Sequence, residues 1–288
     1  MKKVLVTGAL GQLGTELQLL TAGRPEFVFT DVRAEGSVRR LDILDPVAIA
    51  QLVDEENVGT LVNCAAYTNV DLAESQQDLC QAINADGPGN LARIATRKDL
   101  TLIHISTEYV FDGRNPAGYA ETARRHPLSA YGRSKRDGED RVKRSGCRGI
   151  IIRTSWLYSP FGKNFVKTML RLGAERPEVG VVDDQVGSPT YARDLAEAIL
   201  TILPKIGQQR GRIYHFTNDG TCTWAGLAAA VMREAGLPCH VKPITTADYP
   251  SPAVRPACSI LSKERICREF GIRLKPWEES LKDCLRRL

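Results

Sequence analysis

Residues 4–17 read VLVTGALGQLGTEL. A short β-rich run ends at Thr7, three glycines follow at G-x-x-G-x-x-G spacing, and apolar residues then recur at helical intervals at Leu13, Leu17 and Leu20. Gly8 allows a tight turn. Gly11 lets backbone N–H groups approach a diphosphate at the positive end of the helix, and Gly14 lets helix and strand pack closely. The spacing predicts a strand–turn–helix that binds a dinucleotide; the alternative is a tight turn with no ligand.

Outward from this turn the chain alternates. EFVFTDV is a second strand, PVAIAQLVDEE a helix opened by Pro46, and GTLVNCAA a third strand. Residues 78–97 read as one long helix, LTLIHIS as a fourth strand and RGIIIRTS as a fifth. Near-continuous apolar strands separated by helices indicate a parallel sheet covered on both faces. The expected fold is α/β: a Rossmann-type doubly wound parallel sheet over residues 1–155, with a smaller C-terminal α/β substrate lobe over 156–288. Some segments of the second half are expected to return to the first. Met169 and its apolar neighbours read as helix core.

Composition bounds the function. The 288 residues are 43% hydrophobic and 25% charged, ordinary for a globular protein, and no apolar run reaches the ~18–20 residues of a membrane span. MKKVLVTG reads as a first strand, its apolar run too short for a signal-peptide core. Eight cysteines form no C-x-x-C and no zinc-finger spacing, which suits reduced thiols in the cytoplasm. Net charge is +5, and the basic residues between Arg124 and Arg148 are mixed with acidic ones, as on a solvated helix. No basic patch interleaved with aromatics points to nucleic acid.

Asp31 ends the second strand, where a carboxylate can accept from an adenosine 2′-hydroxyl and favour NADH; Arg33, two residues on, suits the 2′-phosphate of NADPH. Asp42 and Ile43 follow a short loop and suit the adenine edge, while Ala65 and Ala66 leave room for a cofactor beside the third strand. Tyr131 and Lys135 stand one helical turn apart in LSAYGRSKRDGED. Tyr-x-x-x-Lys alone is weak, expected about 0.3 times by chance from this composition. It gains weight from Thr107, 24 residues earlier at the end of the fourth strand. A carbonyl receiving hydride needs a proton. An ammonium beside the phenol and the positive charge of an oxidised nicotinamide should together lower the Tyr131 pKa toward neutrality, and Thr107 can bond the same oxygen.

Glycine turn, Thr107 and Tyr-x-x-x-Lys resemble the extended short-chain dehydrogenase/reductases. RTSWLYSPFGKNFVKTMLRLG, VVDDQVGSPTYARDLA, TNDGTCTWAGLA and SPAVRP narrow the likeness, over nearly the whole chain, to the dTDP-4-dehydrorhamnose reductases. That resemblance implies reduction of a 4-keto nucleotide sugar by NADPH or NADH. It implies Thr107, Tyr131 and Lys135 as the catalytic residues, and Gly11, Gln12 and Leu13 on the cofactor diphosphate. Asp31, Asp42 and Ile43 would lie near the adenosine, with Ala66, Tyr67 and Thr68 further along. Glu108, Trp156, Asn164, Gln185 and Arg255 are implied substrate contacts, the alternative for Trp156 being a core indole.

Two positions depart from the family pattern. Glu108 stands where Asp is usual after the catalytic Thr. Glu16 matches one ligand of a magnesium-linked dimer found in some relatives, but Arg193 replaces another, so no metal is expected and the protein is read as monomer or homodimer. Two competing readings are a reductase of another nucleotide-linked keto sugar and a non-catalytic cofactor-binding regulatory subunit of S-adenosylmethionine synthesis.

Overall fold

The computed structural model describes residues 2–288. The first half runs β1 (Lys3–Thr7), α1 (Gln12–Leu20), β2 (Phe27–Asp31), β3 (Arg39–Arg40), α2 (Pro46–Glu55), β4 (Val58–Asn63), α3 (Gln77–Gln81), α4 (Gly87–Arg97), β5 (Thr101–Thr107), α5 (Ala130–Ser145) and β6 (Arg148–Thr154). Local chemistry sets several boundaries. The Asp45 carboxylate accepts from the Val47 and Ala48 amides, both at 3.0 Å, and Pro46 pre-sets the first turn of α2. Ser129 accepts from the Gly132 amide at the start of α5, and Gly146, at φ +68°, closes that helix.

The segment expected as one helix over 78–97 is interrupted. A π-helical turn, Ala82–Asp86, separates α3 from α4. Pro88 has no N–H and its ring crowds the carbonyl four residues earlier, that of Asn84; a wider turn relieves the clash. Gly138 of α5 packs there, where a Cβ would stand 2.1 Å from the Asn84 carbonyl oxygen.

The second half continues as β7 (Leu157–Tyr158), α6 (Phe165–Glu175), β8 (Glu178–Val182), β9 (Val186–Gly187), β10 (Thr190–Tyr191), α7 (Ala192–Ile202), β11 (Arg212–His215), β12 (Cys222–Thr223), α8 (Trp224–Glu234), β13 (His240–Ile244), α9 (Glu264–Phe270) and α10 (Trp277–Arg286). Seven strands form the main sheet in the order β11-β6-β5-β4-β1-β2-β3, every neighbouring pair parallel. The connections reverse direction between β1 and β4, which opens a crevice at the carboxyl ends of those strands.

Alternate side chains feed two cores. Leu5, Leu61, Leu102 and Ile151 pack with Ile49 and Leu91 on one face. Val6, Val62, Ile103 and Ile152 pack with Leu13, Leu17, Leu195 and Ile199 on the other. Thus α7 lies against α1 and β11 extends the main sheet, both from the second half of the chain. A third core, including Tyr158, Val166, Met169, Val181, Leu227, Val231 and Trp277, belongs to the remaining lobe. The parallel β8–β13 pair of that lobe carried no clear strand signal, because β13 is mostly exposed and contains Pro243, which only an edge strand tolerates. Among the described residues, no helix is long and apolar enough to cross a membrane.

Candidate active site

The crevice is a cavity of about 780 Å³ between the carboxyl ends of the strands and the second lobe. Gly8, Gly11, Gln12, Leu13 and Gly14 form its floor at the start of α1. Gly8 has φ +70°, and a Cβ on it would stand 2.5 Å from the Ala65 amide nitrogen; one on Gly14 would stand 2.3 Å from the Gly8 carbonyl oxygen. The turn therefore requires glycine at both positions. No side chain caps α1 and its first turn holds no acidic residue, so the helix start is free to receive an anion, as a dinucleotide diphosphate requires.

Asp31, Asp42, Ile43, Ala65, Ala66 and Thr68 continue the lining along the sheet edge. Asp31 also accepts from the Leu10 amide at 3.1 Å, tying the glycine turn to β2. Arg33 is exposed and does not line the cavity. Nor does Tyr67: its amide donates to Asn84 Oδ1 at 2.9 Å, its carbonyl accepts from Asn84 Nδ2 at 3.0 Å, and its hydroxyl reaches Gln76 at 2.8 Å. The chain is clamped there by the π-helical turn, and the ring packs against the cluster of Ala73, Cys80, Ala130 and Tyr131.

Thr107, Glu108, Tyr131 and Lys135 meet at the centre of the cavity wall. Thr107 ends β5 and Glu108 opens the short turn that follows, and the others lie one turn apart on the first turns of α5. The Thr107 hydroxyl donates to Glu108 Oε2 at 2.7 Å, and the Lys135 ammonium donates to the Ile105 carbonyl at 2.7 Å. Burial raises the Glu108 pKa to about 7, against the opposing hydrogen bond from Thr107. Burial lowers Lys135 to about 8, partly offset by the Glu139 carboxylate.

In the protein alone, burial and not Lys135 sets the direction of the Tyr131 pKa. Burial pushes Tyr131 above the usual phenol range and the Glu108 charge adds to this, with only the Thr107 hydroxyl working the other way. The ammonium is directed at a backbone carbonyl, and a dry pocket opposes phenolate more than a hydroxyl favours it. The phenol is thus fully protonated at neutral pH, the state needed to give a proton to an oxygen gaining negative charge.

Behind Lys135 the helix buries a further charge. Glu139 is fully buried; it accepts from Arg153 Nε and Nη2, both at 2.7 Å, from Ser106 at 2.6 Å and from Arg125 at 3.1 Å. The mixed-charge face expected to be solvated therefore carries Tyr131, Lys135 and Glu139 inward as a row of three turns. Only its outer side is wet, where Arg136 meets Asp137.

The second lobe supplies the opposite wall. Trp156, Asn164 and Arg255 line the cavity. Trp156 has φ +48° and stacks on Trp224 with ring centroids 3.6 Å apart; a Cβ on Gly187 would stand 2.6 Å from its ring. The indole is a wall of the cleft, partly buried, and packs against the third core at the same time. Gln185 lies outside the lining: it donates to Thr246 Oγ1 at 3.0 Å and accepts from the Trp224 indole at 3.2 Å, so its amide supports Trp224. Arg255 donates to Asp71 at 2.7 Å and to the Tyr109 hydroxyl at 3.1 Å, joining the two sides of the cleft.

Sequence reasoning missed Trp224, Asp71, Tyr109, Lys163 and Glu139. Of these only Glu139 carried a spacing signal, four residues after Lys135. Glu16 is fully buried and accepts from Arg287 at 2.8 Å and Arg193 at 3.4 Å. No cluster of three His, Cys, Asp or Glu suited to a metal occurs among the described residues.

Comparison with known proteins bears on this geometry. The family model described as "RmlD substrate binding domain" matches residues 1–288. The dTDP-4-dehydrorhamnose reductase of Aggregatibacter actinomycetemcomitans is 40% identical over 295 aligned residues, covering 98% of each chain. The crystal structure of a dTDP-4-dehydrorhamnose reductase from Clostridium acetobutylicum superposes with a TM-score of 0.92 at 40% identity, covering 99% of both chains. That of the Bacillus anthracis dTDP-4-dehydrorhamnose reductase, solved in complex with NADP, gives 0.91 at 39% identity over 100% of both.

Proposed function

The chain belongs to the RmlD substrate-binding family of dTDP-4-dehydrorhamnose reductases, and from that premise we propose that it reduces the 4-keto group of dTDP-4-dehydro-L-rhamnose to give dTDP-L-rhamnose. The reductant is NADPH or NADH, with NADP found in the Bacillus anthracis relative. The observation that carries the reading is the meeting of Thr107, Tyr131 and Lys135 beside the uncapped start of α1, in one cavity at the switch point of the sheet.

The nicotinamide cofactor, when bound, supplies the hydride. Gly8, Gly11 and Gly14 with the first amides of α1 would hold its diphosphate, and Asp31, Asp42 and Ile43 its adenosine. Tyr131, protonated at neutral pH, donates its hydroxyl proton to the sugar C4 oxygen as negative charge grows there. Thr107 turns its hydroxyl from Glu108 to the same oxygen. Lys135, held by the Ile105 carbonyl, would hold the ribose hydroxyls of the nicotinamide half of the cofactor. Trp156 and Trp224 give the sugar nucleotide an apolar wall, and Arg255 offers a fork for its diphosphate. Eight free thiols suit a reducing compartment, and we place the enzyme in the cytoplasm.

The deciding experiment is loss of NADPH or NADH absorbance when purified protein meets dTDP-4-dehydro-L-rhamnose, with dTDP-L-rhamnose identified as product. Cofactor binding without turnover at saturating substrate would refute the assignment and favour a non-catalytic role.

A further inference from the structure

Three cations line the cleft: Lys135, Arg255 and Lys163. Two are committed. Lys135 donates to the Ile105 carbonyl at 2.7 Å, and Arg255 to Asp71 at 2.7 Å and Tyr109 at 3.1 Å. Lys163 is exposed, and its ammonium has no carboxylate or hydrogen-bonding partner among the described residues.

Its backbone is nevertheless fixed. Lys163 lies in the loop from β7 to α6, between two residues that press on the glycine turn. Asn164 Nδ2 donates to Gln12 Oε1 at 3.0 Å, and Gln12 Nε2 reaches the Leu157 carbonyl at 3.5 Å. Gly162 has φ +63°, and a Cβ on it would stand 3.2 Å from Gln12 Cγ. Gln12 is the first residue of α1, so this loop sits across the cleft from the uncapped helix start. The Gln12 side chain therefore clasps the second lobe, leaving its amide to face the cavity with those of Leu13 and Gly14.

Two positive features thus converge on one space from opposite lobes: the amides at the start of α1 and the uncommitted ammonium of Lys163. The acidic lining residues Asp31 and Asp42 lie along the adenosine side, and Glu108 is at the chemistry. We infer that Lys163 is a diphosphate-binding residue, whose ammonium closes from the second lobe over the diphosphate seated on the glycine turn. This rests on the reading that the cleft takes a nicotinamide dinucleotide. The nucleotide sugar also carries a diphosphate, but the contact between the Lys163 loop and Gln12 assigns the ammonium to the dinucleotide's.

The test is equilibrium binding, independent of turnover. NADPH is titrated against wild type, Lys163→Ala, Lys163→Arg and Lys163→Glu by fluorescence; dTDP is titrated separately against NADP-saturated protein. Lys163→Ala is expected to weaken NADPH about tenfold, as for loss of one charge-assisted hydrogen bond, and Lys163→Glu further. Lys163→Arg is expected to bind within about threefold of wild type, because the charge is kept. The dTDP affinity is expected to stay within about twofold. Thermal melting of each variant should match wild type, since the side chain is exposed. Wild type that binds neither NADPH nor NADH overturns the functional reading and this inference with it. Wild type that binds NADPH, with Lys163→Ala equal to it, overturns this inference alone. A loss confined to dTDP overturns the assignment to the dinucleotide.

Discussion

Glu108→Gln gives a test with a sign and a pH window. Glu108 is 4% exposed, and its hydrogen-bonding partner in the cleft is the Thr107 hydroxyl at 2.7 Å. Burial raises its pKa from 4.5 to about 7. A raised carboxyl pKa means that the native state holds the proton more tightly than the unfolded chain. The stability this contributes is complete below pH 4.5, falls as pH rises and is gone once pH passes about 7. Each pKa unit is worth about 1.4 kcal/mol, so wild type forfeits roughly 3 kcal/mol across that window. Glutamine cannot ionise, yet its carbonyl still accepts from Thr107. Against wild type, the variant should gain about 3 kcal/mol between pH 4.5 and 7, then hold a constant lead. For a chain of this size the lead corresponds to about 5 °C in Tm. Urea denaturation of both proteins at half-unit pH steps measures it, because ionisations common to both cancel in the difference. A difference independent of pH within about 1 kcal/mol would refute both the raised pKa and the burial argument behind it.

Other substitutions probe the remaining site. Tyr131→Phe should leave NADPH affinity nearly intact and cut kcat by roughly 10²–10⁴-fold, the range for a lost general acid; near-normal turnover would remove Tyr131 from the chemistry. Glu139→Gln should move the alkaline limb of the kcat profile to lower pH, because Lys135, already near 8, loses the carboxylate that favours its charged form. It should also destabilise the fold by roughly 3–5 kcal/mol, as for a broken buried ion pair, and an unmoved pH profile would leave Glu139 a purely structural role. Arg33→Ala should weaken NADPH more than NADH by about threefold, the scale of a rim-exposed charge; equal changes in the two affinities would show that Arg33 does not meet the 2′-phosphate.

What was legible in the sequence was local. Gly8 announces itself because a positive φ and an atom-to-atom approach exclude other residues, and Gly14 because of close approach alone, and both constraints act within one turn. Tyr131 and Lys135 are legible because a helix places residues four apart on one face. Trp224 had no comparable signal. It meets Trp156 across 68 positions of chain, and only the folded lobe brings their rings together. The same is true of Asp71 and Arg255, whose pairing closes the cleft from two distant loops.

Glu139 is the instructive case, since its spacing from Lys135 was visible and its burial was not. A helix this rich in charge reads as solvated, because an unpaired buried carboxylate costs several kcal/mol. What reverses the reading is Arg153, on β6, which supplies a bidentate partner at 1% exposure, with Ser106 and Arg125 satisfying the carboxylate further. An apolar core at these positions would stabilise the fold at least as well. The charged row instead fixes Ser106, the neighbour of Thr107, to the same helix that carries Tyr131 and Lys135. Strand end and helix start are thereby held in one register, which is the geometry a proton donor and a hydrogen-bonding hydroxyl need to meet a single oxygen.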